Sequence, residues 1–121
     1  MEVIAFKAGK FCFAADLREI DGVLREPDLS LPKVSLTEEF GTGGTSGEVL
    51  VVGGRRPFLV VVDEVKGVIS LPPAQIYPLP PLVAAKLRFT WIWALAYREE
   101  EILWLVELSA LAPEGGDVHA P

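Results

Sequence analysis

The stretch Phe58-Leu59-Val60-Val61-Val62-Asp63-Glu64-Val65-Lys66-Gly67-Val68-Ile69 decides the fold. Its apolar residues are mostly β-branched, which lose rotamer freedom in a helix and pack well on a pleated surface. It reads as one strand from Phe58 to Val62, continuing through Val65, Val68 and Ile69. Just upstream, Glu48 to Val52 is a second β-branched run. Gly53-Gly54-Arg55-Arg56 separates the two, the signature of a hairpin. Asp63 and Glu64 are adjacent carboxylates, and neighbours on a strand point to opposite faces. They are therefore expected to act separately, one solvated and one capping a turn or meeting a base, and not as an acid–base pair.

Towards the N-terminus, Val3 to Phe6 and Phe11 to Ala15 flank Ala8-Gly9-Lys10. Ile4, Phe6, Phe11, Phe13 and Ala15 recur at alternate positions, the period of a half-buried hairpin, with Cys12 on the other face. Asp16 to Leu24 is either a helical turn or a turn leading into a strand around Gly22-Val23-Leu24. Pro32 to Phe40 reads as a short strand and then a turn of helix, with Ser35 or Thr37 as cap. Gly41 to Gly47, GTGGTSG, is a loop without the Gly-Lys-Ser/Thr of a phosphate-binding turn.

Towards the C-terminus, Leu71 to Pro81 is proline-rich and reads as an extended crossover or loop. A short helix is expected over Pro80 to Leu87. Phe89 to Tyr97 and Ile102 to Leu108 form a third hairpin across Arg98-Glu99-Glu100-Glu101. Strict alternation puts Phe89, Trp91, Trp93, Leu95 and Tyr97 on one face, and Trp104 lies on the facing strand. Both faces are apolar, so one packs in the core and the other is to be covered. The expectation is an all-β domain over residues 3–111 with one or two short helices, and a frayed polar tail over 112–121. Ile4, Phe6, Phe11, Phe13, Val60, Val62, Leu103 and Leu105 are its expected core.

Composition narrows the function. The 121 residues carry a net charge of -6, which disfavours nucleic acid as a partner. No apolar run approaches the roughly 18 residues that span a bilayer. Met1 to Lys10 lacks the pattern of a signal peptide. Cys12 is the only cysteine and His119, in the tail, the only histidine. No nucleophile–base pair and no set of metal-ligand spacing can be drawn from these. No catalytic residue, cofactor or metal is expected, and a reducing cytoplasm is the expected setting.

The motifs in their order add a resemblance. The Val-Asp-x-Val run at Val62 to Val65, with the apolar clusters on either side, is followed by Gln75-Ile76-Tyr77-Pro78-Leu79-Pro80. Ala94-Leu95-Ala96 and Ile102 to Leu111 make a terminal hairpin and its exit. Phe6 to Leu24 supplies a first strand, a Gly-containing turn and a closing strand. Together these resemble the CheW-like domain of bacterial chemosensory systems. That resemblance implies two small five-stranded β-barrels that share strands. It also implies a non-catalytic adaptor in chemotaxis and two-component signal transduction, docking on the regulatory domain of a CheA-type histidine kinase or on another CheW-like domain. It places partner contacts at Ile20, Val23, Leu24, Val65 and Trp91.

Two departures weaken the expectation of binding to a chemoreceptor's cytoplasmic tip. Between Leu24 and Pro32 the family carries a helix and an Arg-Gly strand, and here only Arg25 to Leu31 remains. The first barrel is then incomplete, with a free edge near Ile20 to Leu24 that either self-associates or is covered. (Gly47 to Pro57 is the alternative remnant of that segment, but it also fits the hairpin.) The second departure is Trp91, standing where a glycine is usual. It either fills the receptor groove or forms a new anchor. Outside this family, the alternative is a small barrel that binds a peptide or small molecule, which would need a pocket with convergent polar groups.

Overall fold

The computed structural model describes residues 1–26, 30–36, 47–80 and 90–112, and these build ten strands in two sheets. The strands are β1 (Glu2–Ala8), β2 (Phe11–Asp16), β3 (Ile20–Leu24), β4 (Lys33–Ser35), β5 (Glu48–Val52), β6 (Phe58–Val62), β7 (Glu64–Ser70), β8 (Ile76–Pro78), β9 (Ile92–Arg98) and β10 (Glu101–Val106). One sheet has the order β7-β1-β2-β10-β9-β8 and the other β3-β5-β6-β4. The pairs β2–β10 and β4–β6 are parallel and the remaining pairs antiparallel.

The hairpin β1–β2 turns at Gly9, whose φ of 64° is open to glycine at little cost. Its alternation feeds two cores. Ile4, Phe6, Ala8, Phe13 and Ala15 join Leu50, Val52, Phe58, Val60 and Val62 in a first core between the sheets. Val3 and Ala14 face the other way and join Leu71, Ala94, Ala96, Leu103 and Leu105 in a second core. The two cores thus share the six-stranded sheet. The Phe6 and Phe13 rings stack at 5.6 Å, and burial of each phenyl contributes about 1.5–3 kcal/mol.

Several expectations are corrected. The chain does not run straight from β6 into β7. It breaks at Asp63 and changes sheets, because Asp63 is drawn onto the β1–β2 turn. Its N–H donates to Lys7 O at 2.8 Å, and its Oδ2 accepts from Gly9 N at 2.8 Å. The acid pair divides as its alternation requires: Asp63 caps that turn, while Glu64 is exposed and lies 4.0 Å from Lys66. Asp16 to Leu24 is a 3-10 turn over Leu17–Glu19 and then β3, the second of the two readings. The proline-rich crossover holds a 3-10 turn over Pro73–Gln75 and the short strand β8. Phe11, at the start of its strand, is 40% exposed and outside the core. The ten strands form a six-stranded and a four-stranded sheet, and the resemblance to strand-sharing barrels holds. The helix expected at Pro80 to Leu87 lies outside the described residues, apart from Pro80 itself. So do the helical turn after Leu36 and the tail beyond Ala112.

The tryptophans are rearranged by a bulge. Leu105 pairs with Ala94 and Val106 with Ile92, so Trp93 is skipped in the ladder. A skipped residue re-aims the side chains beyond it. Ile92 and Trp91 therefore enter the first core while Ala94 and Ala96 enter the second. Trp93 is left exposed with Tyr97, and the shared face of Trp91 and Trp93 does not form.

Candidate docking edge

Among the described residues, β3 is the terminal strand of its sheet and pairs only with β5. The local sequence explains its course. Asp16 ends β2 and caps the 3-10 turn, its Oδ1 accepting from Arg18 N at 2.9 Å. Glu19 O then accepts from Gly53 N at 2.9 Å, starting the ladder with β5. The register shifts at Asp21, which is skipped between Ile20 and Gly22. Gly53 leaves room for it, since a Cβ there would come within 2.5 Å of the Asp21 carboxylate. Gly22, Val23 and Leu24 then pair regularly with Val51, Leu50 and Val49.

The five residues expected at the docking surface fall into three groups. Ile20 is half-buried against the first core, at the end of β3 beside Val52. Trp91 belongs to that end: Glu107 N donates to Trp91 O at 2.8 Å, and Ser109 N donates to Glu19 Oε1 at 2.9 Å. Leu24 lies at the other end, opposite Val49. Val65 is held nearby, its N–H donating to Glu48 Oε1 at 2.7 Å. Arg25, Gly47, Glu48 and Asp63 line a recess of about 370 Å³ at the same end. Between the two ends Val23 is 43% exposed. Trp91 itself is only 8% exposed, with its ring centroid 5.9 Å from that of Phe13. It packs within the first core.

The electrostatics of the turn before β3 have two opposite signs. Arg18, donating to both Asp16 oxygens at 2.7–3.2 Å, holds the Asp16 carboxyl below its ordinary value. Burial pushes the Glu19 carboxyl up, and the nearby charges of Glu107 and Asp16 add to this. The backbone N–H groups of Ser109 and Leu108 oppose it. Glu19 is thus a partly buried acid joining the turn before β3 to the 3-10 turn Leu108–Leu111. Sequence reading missed this role, because the 90-residue separation leaves no local signal.

A second exposed surface was only half legible. Tyr97 pairs with Ile102 and Tyr77 with Leu95, and Tyr97, Ile102, Tyr77 and Trp93 are all exposed. The apolar character of both faces of β9 signals it, but the bulge decides which tryptophan it contains. The recess lined by Ala5, Phe6, Cys12, Lys66, Ile69, Arg98, Glu99, Glu101 and Leu103 holds about 240 Å³. That is below the roughly 300–1,000 Å³ of ordinary ligand pockets. Among the described residues, no three His, Cys, Asp or Glu side chains gather as a metal site, and no helix is long and apolar enough to cross a membrane.

Comparison with solved structures settles the architecture. The scaffolding protein TtCheW from Thermoanaerobacter tengcongensis superposes with a TM-score of 0.73, over 88% of this chain and 84% of that one. The fold is CheW-like. At 16% identity the likeness is one of fold. No family model matches the chain, and no curated protein matches its sequence. The CheW-like fold therefore survives here with little sequence in common, carried by strand order and by apolar alternation.

Proposed function

We propose that this chain is a non-catalytic protein–protein adaptor of a bacterial chemosensory system, working in the cytoplasm. It docks on the regulatory domain of a CheA-type histidine kinase or on another CheW-like domain. The observation that carries this reading is the CheW-like fold combined with a free, partly apolar strand edge at β3. A rigid β scaffold presenting such an edge binds through main-chain hydrogen bonds and a few apolar side chains. Val23 makes the direct contact, Ile20, Leu24 and Val65 flank it, and Trp91 supports the Ile20 end from within the core. Receptor coupling is not part of the proposal, because the Arg-Gly segment is missing and Trp91 occupies a position where the family has a glycine.

The test is a calorimetric titration of the chain against a CheA-type regulatory domain. Binding by the wild type is expected, and Val23→Glu should weaken it by about tenfold or more, as for a central interface residue. Absence of binding, or equal affinity in Val23→Glu, would overturn the proposed surface.

A further inference from the structure

Among the described strands, Ile20–Leu24 is the edge least protected against pairing with another chain. Proteins blunt free strand edges with short strands, proline, charges or bulges. β8 has three residues and contains Pro78, and β4 also has three. β7 carries Glu64 and Lys66, shifts register against β1 and passes through Gly67 at φ 132°. β3 bulges at Asp21, but Gly22, Val23 and Leu24 beyond it run regularly without proline or charge.

The charges flanking Val23 are self-complementary. Asp21, the bulged residue of β3, and Arg25, the residue just past its end, stand two residues to either side of it, and all three are exposed. No ion pair engages Asp21 or Arg25 among the described residues. Glu48 and Asp63, which share the recess with Arg25, already accept from Val65 N and Gly9 N.

We propose that a second copy of this chain pairs antiparallel along β3, about a two-fold axis at Val23. Val23 then faces its own counterpart, Gly22 faces Leu24, and Asp21 faces Arg25 on both sides of the axis. The two four-stranded sheets become one. Opposite charges directly across an antiparallel pair are favourable, and like charges are unfavourable. A shift of one residue sets Asp21 against Leu24 in one direction and against Glu26 in the other, so the charges select this register. The interface is isologous, which closes the assembly at two copies. This pairing rests on the adaptor reading's open β3 edge and names one occupant for it, a second copy of this chain.

Sedimentation velocity of the full chain, from about 10 µM to about 1 mM, provides the test. The wild type should pass from monomer to dimer across that range. Asp21→Arg and Arg25→Asp should each weaken the dimer by about tenfold or more, since each sets like charges face to face twice. An equimolar mixture of the two variants should recover dimers, because every Arg then faces an Asp. Val23→Lys should abolish association, and circular dichroism melts establish that each variant is folded. A wild type that stays monomeric at about 1 mM overturns the proposal. So does a dimer that keeps its affinity in the variants, or a mixture that associates no better than its components. Because no kinase is present, failure here is distinct from failure of the adaptor reading.

Discussion

Asp63 gives the clearest case of a single residue fixing the architecture. Its carboxylate holds the Gly9 N–H and its own N–H is held by Lys7 O, so one residue ends β6, caps the first hairpin and sends the chain into the other sheet. Asp63→Ala leaves a part-buried donor without its acceptor, which costs about 1–3 kcal/mol. Asp63→Asn keeps an oxygen there and should recover part of that loss; equal melting temperatures for wild type and Asp63→Ala would refute the role. Two further carboxyls give stability opposite pH dependences. Glu19 has its folded value raised by burial, so the fold binds its proton more tightly than the unfolded chain does. Its contribution is present below the ordinary glutamate range and is lost as pH rises through the folded value. Glu19→Gln keeps the acceptor for Ser109 N and should remove this loss, leaving the variant more stable than wild type at neutral pH. Asp16 is lowered by Arg18, so its contribution is present above the ordinary aspartate range and is lost as pH falls through the folded value. Melting temperatures across pH 3 to 7 for Glu19→Gln and Asp16→Asn should diverge from wild type in these opposite senses. Parallel profiles would contradict the assignment.

At the scale of elements, what could be read depended on whether a signal was local. The hairpins β1–β2 and β5–β6 were legible because period-2 alternation and glycine turns lie within a few residues. The expected core follows from the same alternation: Ile4, Phe6, Phe13, Val60, Val62, Leu103 and Leu105 are buried. Phe11 was misplaced because alternation does not tell where a strand passes the rim of its sheet. The break at Asp63 and the bulge at Trp93 were invisible, since both are set by partners from distant sequence. At the site, strand β3 over Ile20–Leu24 was one of two readings of the sequence, while the division of the expected docking residues between its two ends was not legible. The β9–β10 hairpin still carries a sequence–structure conflict. Its turn places Glu99 at φ 51° and Glu100 at φ 65°, a left-handed pair that favours Asn-Gly. A left-handed residue with a Cβ costs about 1–2 kcal/mol. Glu100→Gly should therefore stabilise the protein by about 1 kcal/mol, and raise the melting temperature by about 4 °C. A fall in melting temperature would show that Glu100 makes contacts worth more than the strain.

For the whole molecule, the decisive property is that both cores share the six-stranded sheet, one on each of its faces. β1 and β2 send alternate side chains into each core, and β9 does the same by means of its bulge. Neither core can be opened without disturbing strands that also line the other. On the proposed adaptor reading, that arrangement backs the β3 edge with the first core, against which Ile20 packs. It also fixes how the protein unfolds. Phe13→Ala opens the first core, where Phe6 and Trp91 flank the ring, and should cost about 3–5 kcal/mol. Leu105→Ala opens the second and should cost about 2–5 kcal/mol. If the shared sheet couples the cores, each variant lowers the midpoint of a single transition, with fluorescence and far-UV circular dichroism moving together. Tryptophan fluorescence reports mainly on the first core, through Trp91 and the partly buried Trp104. Leu105→Ala, on the opposite face, should still shift that signal in step with the backbone. A second-core variant whose fluorescence midpoint stayed at the wild-type value while the circular dichroism midpoint fell would mean that the two cores unfold independently. The shared sheet would then not be the unit of stability.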